Sequence, residues 1–460
     1  MSDNTFKDPI IIIGAGMAGY TLARELRKLN ADTPITLIAR DGADSYAKPT
    51  LSNALAQGKL ADNIANASAE QMAENLAISV MKFCQVNHID VEKKTITVEP
   101  INLATQNSNA TQILSYAKLV LATGANPRLL PNVNVDNERI FAVNHLDDYK
   151  KFQQKIHALL TQANAETGYG KVNVAIIGAG LIGCEFANDL ASKVNSADNA
   201  NALNITVFDN AKLPLANQLP AVAGEALQTA LQDVGVTFEL GVTIDSIQPS
   251  GNLNNVNDGK SGVEIVVKNA NADLIHHQAD VVLIAIGLVA NTQLAENARL
   301  KIAQLSDSVS TDTHLPRTAQ QGILVDQFLQ TSVKDVYAIG DCANVMGSFM
   351  PYVMPLMNQA KALAKTLSDQ LTDPTLPPTK VNYPAMPVAI KTPALPLVVL
   401  PVSARYSADD IDWQQQMTDD GMVLSAFAKG DSEKLLGFVL VGKEAGKQRM
   451  ALAKQVADWL

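Results

Sequence analysis

The apolar residues of this 460-residue chain collect in short solid runs that end in glycine. The clearest run, Ile10–Ile13, predicts a strand buried on both faces, as in a parallel sheet. Gly14, Gly16 and Gly19 follow at G-x-G-x-x-G spacing, with Ala15, Met17 and Ala18 between them, and Thr21–Leu29 has the period of an amphipathic helix. In that setting the first glycine permits a tight turn. The second lets a pyrophosphate approach the backbone, and the third lets helix pack on strand. The helix N-terminus would then offer unpaired N–H groups to the phosphates. A glycine-rich turn in some other strand–helix unit is the competing reading.

Pro34–Ala39 predicts a second strand, Arg40–Ser52 a loop entering a helix, and the alanine-rich residues 53–80 further helix. Ile96–Val98 and Leu119–Ala122 read as strands around a polar excursion at Thr105–Thr111. The second of these ends in Thr123-Gly124.

The opening unit then recurs. Asn173–Leu190 repeats it: Ile176-Ile177-Gly178-Ala179-Gly180 matches Ile12-Ile13-Gly14-Ala15-Gly16, and Gly183 matches Gly19. Leu181 and Ile182 fill the second loop. Two such loops imply two bound dinucleotides. Asn195–Asn204 and Ser250–Gly259 read as exposed polar turns and Ile205–Asp209 as the next strand. Asp280–Gly287 reads as a buried strand that ends the second unit. Asp209 ends a strand after the second loop, where an acid hydrogen-bonds a ribose 2′-hydroxyl and repels a 2′-phosphate. A strand-end turn cap is the alternative. Residues 305–321 read as loop, and Gly322–Asp326 as a return to the first unit. Thr331–Ala343 predicts a strand ending at Gly340-Asp341. That carboxylate could reach ribityl or ribose hydroxyls, cap a helix, or do both. Tyr352–Leu367 predicts a helix, 372–378 a linker, and the remainder a small domain of strands and a last helix. The expected fold class is therefore α/β, with two Rossmann-like dinucleotide-binding domains and a small C-terminal α+β domain.

Composition narrows the function. A net charge of −10 argues against nucleic acid as a partner. No apolar run approaches the length of a membrane span, and the N-terminus has no signal-peptide pattern. The three cysteines, Cys84, Cys184 and Cys342, are far apart, so a reducing, cytoplasmic setting is expected. The histidines show no metal spacing, and no metal is expected.

The glycine loops, A-T-G at 122–124 and G-D at 340–341 together resemble the two-dinucleotide-binding flavoprotein reductases. Within that group the chain is similar to the rubredoxin reductases. The matches are S-Y-A-K-P-T-L-S at 45–52, G-A-G-L-I-G-C-E-F-A-N-D-L at 178–190, Y-A-I-G-D-C-A at 337–343, Y-V-M-P-L-M at 352–357 and P-A-M-P-V-A-I-K-T-P-A-L-P-L-V-V at 384–399. The resemblance implies FAD on 1–148 and 288–373, NADH on 149–287, and a C-terminal domain over 374–460. It also implies rubredoxin as electron acceptor. A monomer is expected. Alkane hydroxylation and oxygen detoxification are both open as downstream uses.

By the same resemblance Lys48 lies at the flavin edge, where a cation stabilises reduced, anionic flavin, and Glu185 pairs with it. Val86 offers backbone contacts to adenine. Thr123, Gly124 and Arg128 border the FAD, Val353 lies against the ring, and Lys391 reaches the flavin from the third domain. The first unit departs from the family pattern, because Ala39 and Arg40 occupy the slot of a ribose-binding acid. Either Asp41 serves the adenosine ribose or that contact is missing, and Arg40 would face the adenine side. The second unit has Val289-Ala290, not proline, after Gly287. Three competing functions are a ferredoxin reductase of an oxygenase system, an NADH oxidase-type flavoenzyme and a non-catalytic NADH-responsive flavoprotein. The oxidases that use a redox thiol carry a cysteine where this chain has Ser45–Ser52.

Overall fold

The computed structural model describes residues 8–101, 111–131, 133, 138–167, 171–194, 203–250, 262–303, 321–403 and 406–457. Ile10–Ile13 is a strand with all four side chains buried. It is the central strand of a five-stranded parallel sheet in the order Val336–Ala338, Lys118–Leu121, Ile10–Ile13, Ile35–Ile38, Ser79–Met81. Both faces of such a sheet are covered, which is why its strands are solidly apolar. The helix Met17–Leu29 buries Leu22, Ala23 and Leu26. It packs beside the helix Val353–Thr372, where the Thr21 hydroxyl lies 3.7 Å from Met357 Sδ.

The repeat in sequence is also a repeat in space. A second five-stranded parallel sheet runs Val236–Leu240, Leu203–Asp209, Val172–Ile177, Val281–Ile284, Ile140–Phe141. Each parallel sheet has a three-stranded antiparallel companion, Cys84–Asp90, Thr95–Pro100 and Gln112–Ser115 in the first unit, and Thr243–Ser250, Gly262–Lys268 and Leu274–Ala279 in the second. The chain returns to the first unit at Leu288–Ala290, antiparallel to Ala125–Pro127.

The C-terminal segment forms a five-stranded antiparallel sheet, Val388–Ile390, Leu397–Leu400, Asp431–Val441, Gly421–Ala428, Ile411–Thr418. Along Gly421–Ala428, side chains alternate between faces. Met422 and Leu424 join a core shared with Val174 and Ile176 of the second sheet and with Leu51. Val423 points into a separate cluster with Phe438, Leu440 and Ala445. The third unit is thus cemented to the second by apolar contact.

Several expectations change. The first loop helix begins at Met17, not Thr21. Residues 53–80 are not continuous helix: they hold a 3₁₀ turn at Ala61–Asn63, a helix at Ala69–Leu76 and the edge strand Ser79–Met81. Alanine supplies propensity only. Here Gly58 at φ 66° breaks the segment, and a Ser68–Gln71 capping box starts the helix. Ala77 at φ 48° ends it, and pairing with Ile35–Ile38 then takes the chain. The expected last helix is two short pieces, Lys443–Gly446 and Arg449–Ala453. The polar segments expected at 105–111, 195–204, 250–259 and 305–321 lie wholly or mostly outside the described residues. No helix among the described residues is long and apolar enough to cross a membrane.

Asp335 ties the first unit together at the N-terminal side of its sheet. Its carboxylate accepts from Lys118 Nζ at 2.5 Å and Lys94 Nζ at 2.6 Å. Burial pushes its carboxyl up, but the two ammonium groups outweigh that and hold it below the usual range. A carboxyl with a lowered folded pKa stabilises the fold above its unfolded pKa and loses that contribution as pH falls through the folded value. Asp335→Asn should therefore cost about 1–3 kcal/mol near neutrality, in chemical denaturation. The deficit should shrink on acidification.

Candidate active site

Both glycine loops are built by contact. Gly14 and Gly178 sit at φ 119° and 110°. A Cβ there would lie 2.1 Å from the Ala122 carbonyl oxygen and 2.5 Å from that of Ala285. At Gly19 and Gly183 a Cβ would lie 2.0 and 1.9 Å from the carbonyl oxygens of Gly14 and Gly178. No side chain fits at either pair of positions, so strand and helix meet at backbone distance. Gly16 and Gly180 differ, because a Cβ would meet nothing within 4 Å. The open middle glycine beside two crowded ones is the cradle a dinucleotide pyrophosphate requires. Ala15 and Ala18 are buried beside the first loop and Met17 is half-buried. In the second, Leu181 is half-buried, while Ile182 is 41 % exposed despite its apolar side chain.

The strand after the second loop ends at Asp209. Its carboxylate accepts from the Ala179 N–H at 2.6 Å and the Ala211 N–H at 2.7 Å, which places it against the loop itself. In the first unit Arg40 and Asp41 are exposed, and Asp41 accepts from the Ala43 N–H at 3.0 Å in a local turn. Val86 is buried in Cys84–Asp90 next to a register shift that falls between it and His88.

Lys48 opens a 3₁₀ turn, Lys48–Asn53. Its Nζ lies 3.9 Å from Asp341 Oδ2. Burial pulls the Lys48 ammonium below its ordinary range and pushes the Asp341 carboxyl above its own, with each opposing the other's shift. Asp341 lies in a 3₁₀ turn, Gly340–Cys342, rather than at the entrance of a long helix. Its neighbour Gly340 donates its N–H to Gln359 Oε1 at 2.6 Å, and Gln359 Nε2 donates to the Tyr383 hydroxyl at 2.7 Å. Val353 starts the helix Val353–Thr372, which has no acidic residue in its first turn and no side-chain cap from Tyr352.

Glu185 does not pair with Lys48. It is fully buried, and its Oε2 accepts from Ser52 Oγ at 2.5 Å and from Lys391 Nζ at 2.6 Å. Its Oε1 accepts the Lys391 backbone N–H at 2.9 Å. Lys391 Nζ also donates to the Pro49 carbonyl at 2.5 Å and to Ser52 Oγ at 2.6 Å. A buried carboxylate needs a charged, hydrogen-bonded partner, and the third domain supplies it. Lys391 therefore meets the Lys48 turn through its backbone and Ser52. Asn188 and Asp189, read only as part of a helix, are as buried as Glu185. Asn188 Oδ1 accepts the Ala394 N–H at 3.0 Å, and Asp189 accepts the Ala56 and Leu55 N–H groups at 2.7 and 3.1 Å. Burial pushes the Asp189 carboxyl up to about 6. The signal for these residues is a polar row at i, i+3 and i+4 on an otherwise apolar helix.

Thr123 and Gly124 are tied to the return segment. Thr123 Oγ1 donates to the Asn291 carbonyl at 2.9 Å, and the Asn291 N–H donates to the Gly124 carbonyl at 3.0 Å. The Arg128 N–H donates to the Gly287 carbonyl at 2.8 Å, and its side chain is exposed. Gly287 sits at φ 103°. Cys84, Cys184 and Cys342 are free thiols, and burial raises the pKa of each. Among the described residues no group of three or more His, Cys, Asp or Glu could hold a metal ion.

Residues 8–362 match the family described as pyridine nucleotide-disulphide oxidoreductase. The chain belongs to that family. Residues 380–456 match a second one, described as the rubredoxin binding C-terminal domain. A rubredoxin-NAD(+) reductase of Acinetobacter baylyi is 41 % identical over 98 % of this chain and 98 % of its own. One from Alcanivorax borkumensis is 34 % identical over 97 % of this chain and 98 % of its own. A crystal structure of a covalent putidaredoxin reductase–putidaredoxin complex superposes with a TM-score of 0.74. It covers 97 % of this chain and 93 % of that one at 19 % identity, so it speaks to fold alone.

The Glu185–Lys391 pair yields a test that needs no ligand. Lys391→Met strands a buried carboxylate and should cost about 2–4 kcal/mol in denaturation. Glu185→Gln added to that variant should recover part of the loss.

Proposed function

We propose that the chain is a cytoplasmic FAD-dependent reductase that takes electrons from NADH and passes them to rubredoxin. One observation carries this reading. A chain with two glycine cradles is fused to a rubredoxin-binding domain, and that domain's Lys391 is hydrogen-bonded to Glu185, five residues past Gly180. In this reading residues 1–148 and 288–373 hold FAD, 149–287 hold NADH, and 374–460 receive the partner.

FAD, when bound, accepts two electrons together and releases them singly, as a one-electron iron centre requires. The chain's residues bind and orient. Gly14–Gly19 and Gly178–Gly183 cradle the two pyrophosphates with backbone N–H groups. Asp209 takes the NADH ribose and disfavours a 2′-phosphate. Asp341, Thr123 and Gly124 line the flavin side, with Val353 at the head of a helix whose N–H groups are left for a ligand. Val86 supplies backbone to the adenine, with Arg40 exposed beside it. Arg128 and Gly287 stand at the crossover between units. Lys48 carries the electrostatic work. Its ammonium is destabilised by burial and only loosely matched by Asp341, so it gains most when negative charge develops beside it.

The second reading, a ferredoxin reductase, shares the fold and differs in the partner. NADH-driven reduction of rubredoxin and of a [2Fe–2S] ferredoxin, measured side by side, separates them. Rubredoxin should lead by about tenfold or more in kcat/KM, and ferredoxin equal to or ahead of it would overturn the proposed partner. Lys48→Ala should slow flavin reduction about tenfold in anaerobic stopped-flow while FAD content stays unchanged. Asp209→Ala should raise the KM for NADH and narrow the preference over NADPH.

A further inference from the structure

One buried charge serves none of the roles assigned above. Asp189 is 1 % exposed. Its Oδ1 accepts the Ala56 N–H at 2.7 Å and its Oδ2 the Leu55 N–H at 3.1 Å. A carboxylate buried to hold two main-chain N–H groups is a costly device when a neutral side chain could cap one of them. What it holds is the exit of the turn Lys48–Asn53. That turn is gripped in its middle by Glu185 and Lys391 at Ser52 and Pro49. Glu185 and Asp189 are four residues apart on one helix, so they project from one face. The turn is therefore fastened at two points along a rigid helix and cannot pivot about either. Among the described residues Lys48 has no comparable hold of its own, since its contact with Asp341 spans 3.9 Å.

The geometry points to Asp189 as a positioning residue for Lys48. It fixes the backbone of the Lys48 turn against the helix that follows the second glycine loop, and so sets where the ammonium stands. This inference rests on the role proposed for Lys48, and the test separates the two.

The test is a double-mutant cycle in the FAD-loaded full-length chain, read as the rate of flavin reduction by NADH and as the flavin reduction potential. Asp189→Asn keeps the bond to Ala56 and places an amide donor against the Leu55 N–H, with no change in volume. It should slow flavin reduction about fivefold and move the potential in the negative direction, as Lys48→Ala does. In a Lys48→Ala background the same change should alter the rate by less than about twofold. Amide exchange at Leu55 should quicken about tenfold, with or without FAD. Asp189→Ala should show the same pattern more strongly. If it fails to fold, the Asn variant still decides. Equal slowing with and without Lys48 would overturn the inference and leave the Lys48 role standing. Unchanged flavin reduction in Lys48→Ala alone would overturn both.

Discussion

Everything in this molecule is aimed by one close approach, made twice. The carbonyl of the first glycine in each loop lies where a Cβ on the third would sit, 2.0 Å away in the first unit and 1.9 Å in the second. Strand and helix can be joined this tightly only through glycine. The joint directs each helix N-terminus at a fixed point beyond the strand ends, in an opening kept clear at Gly16 and Gly180. Two such joints stand in one chain, one in each unit, and the chain comes back from the second unit to the first at Leu288–Ala290, which pairs with Ala125–Pro127.

The second organising element is the helix Leu181–Val194. Its apolar face completes the core of the middle unit through Phe186, Ala187 and Leu190. Its polar row grips segments from the two other units: 52–56 through Glu185 and Asp189, and 391–394 through Glu185 and Asn188. Buried ion pairs add little net stability, because desolvation offsets the attraction. Their value here is selection of one arrangement out of many that the shared apolar contacts of the third sheet would permit. The partner-binding unit, the coenzyme loop and the Lys48 turn are thereby held in register by a single helix.

Much of this is legible in the chain. Ile10–Ile13 and Val174–Ile177 are solid apolar runs because both faces of their sheets are covered, in the second unit by the helix Leu181–Val194 on one face and the three-stranded antiparallel sheet on the other, and the glycine spacing marks where each turn must be tight. Long-range choices are not legible. Residues 53–80 carry helix-favouring alanines, yet Gly58, the cap at Ser68 and the pairing of Ser79–Met81 divide them. The partner of Glu185 stands 206 residues away in another unit, and no local pattern distinguishes Lys391 from Lys48 as its match. Asp189 looks like any helix-surface carboxylate until the fold buries it.

Two cradles in one chain, as proposed, bring NADH and FAD together for transfer to a one-electron acceptor. Anaerobic titration of the FAD-loaded protein tests it most directly. The flavin colour should be lost at about one NADH per flavin and restored by about two equivalents of oxidised rubredoxin. Protein that binds no flavin, or flavin that stays oxidised under excess NADH, would contradict it.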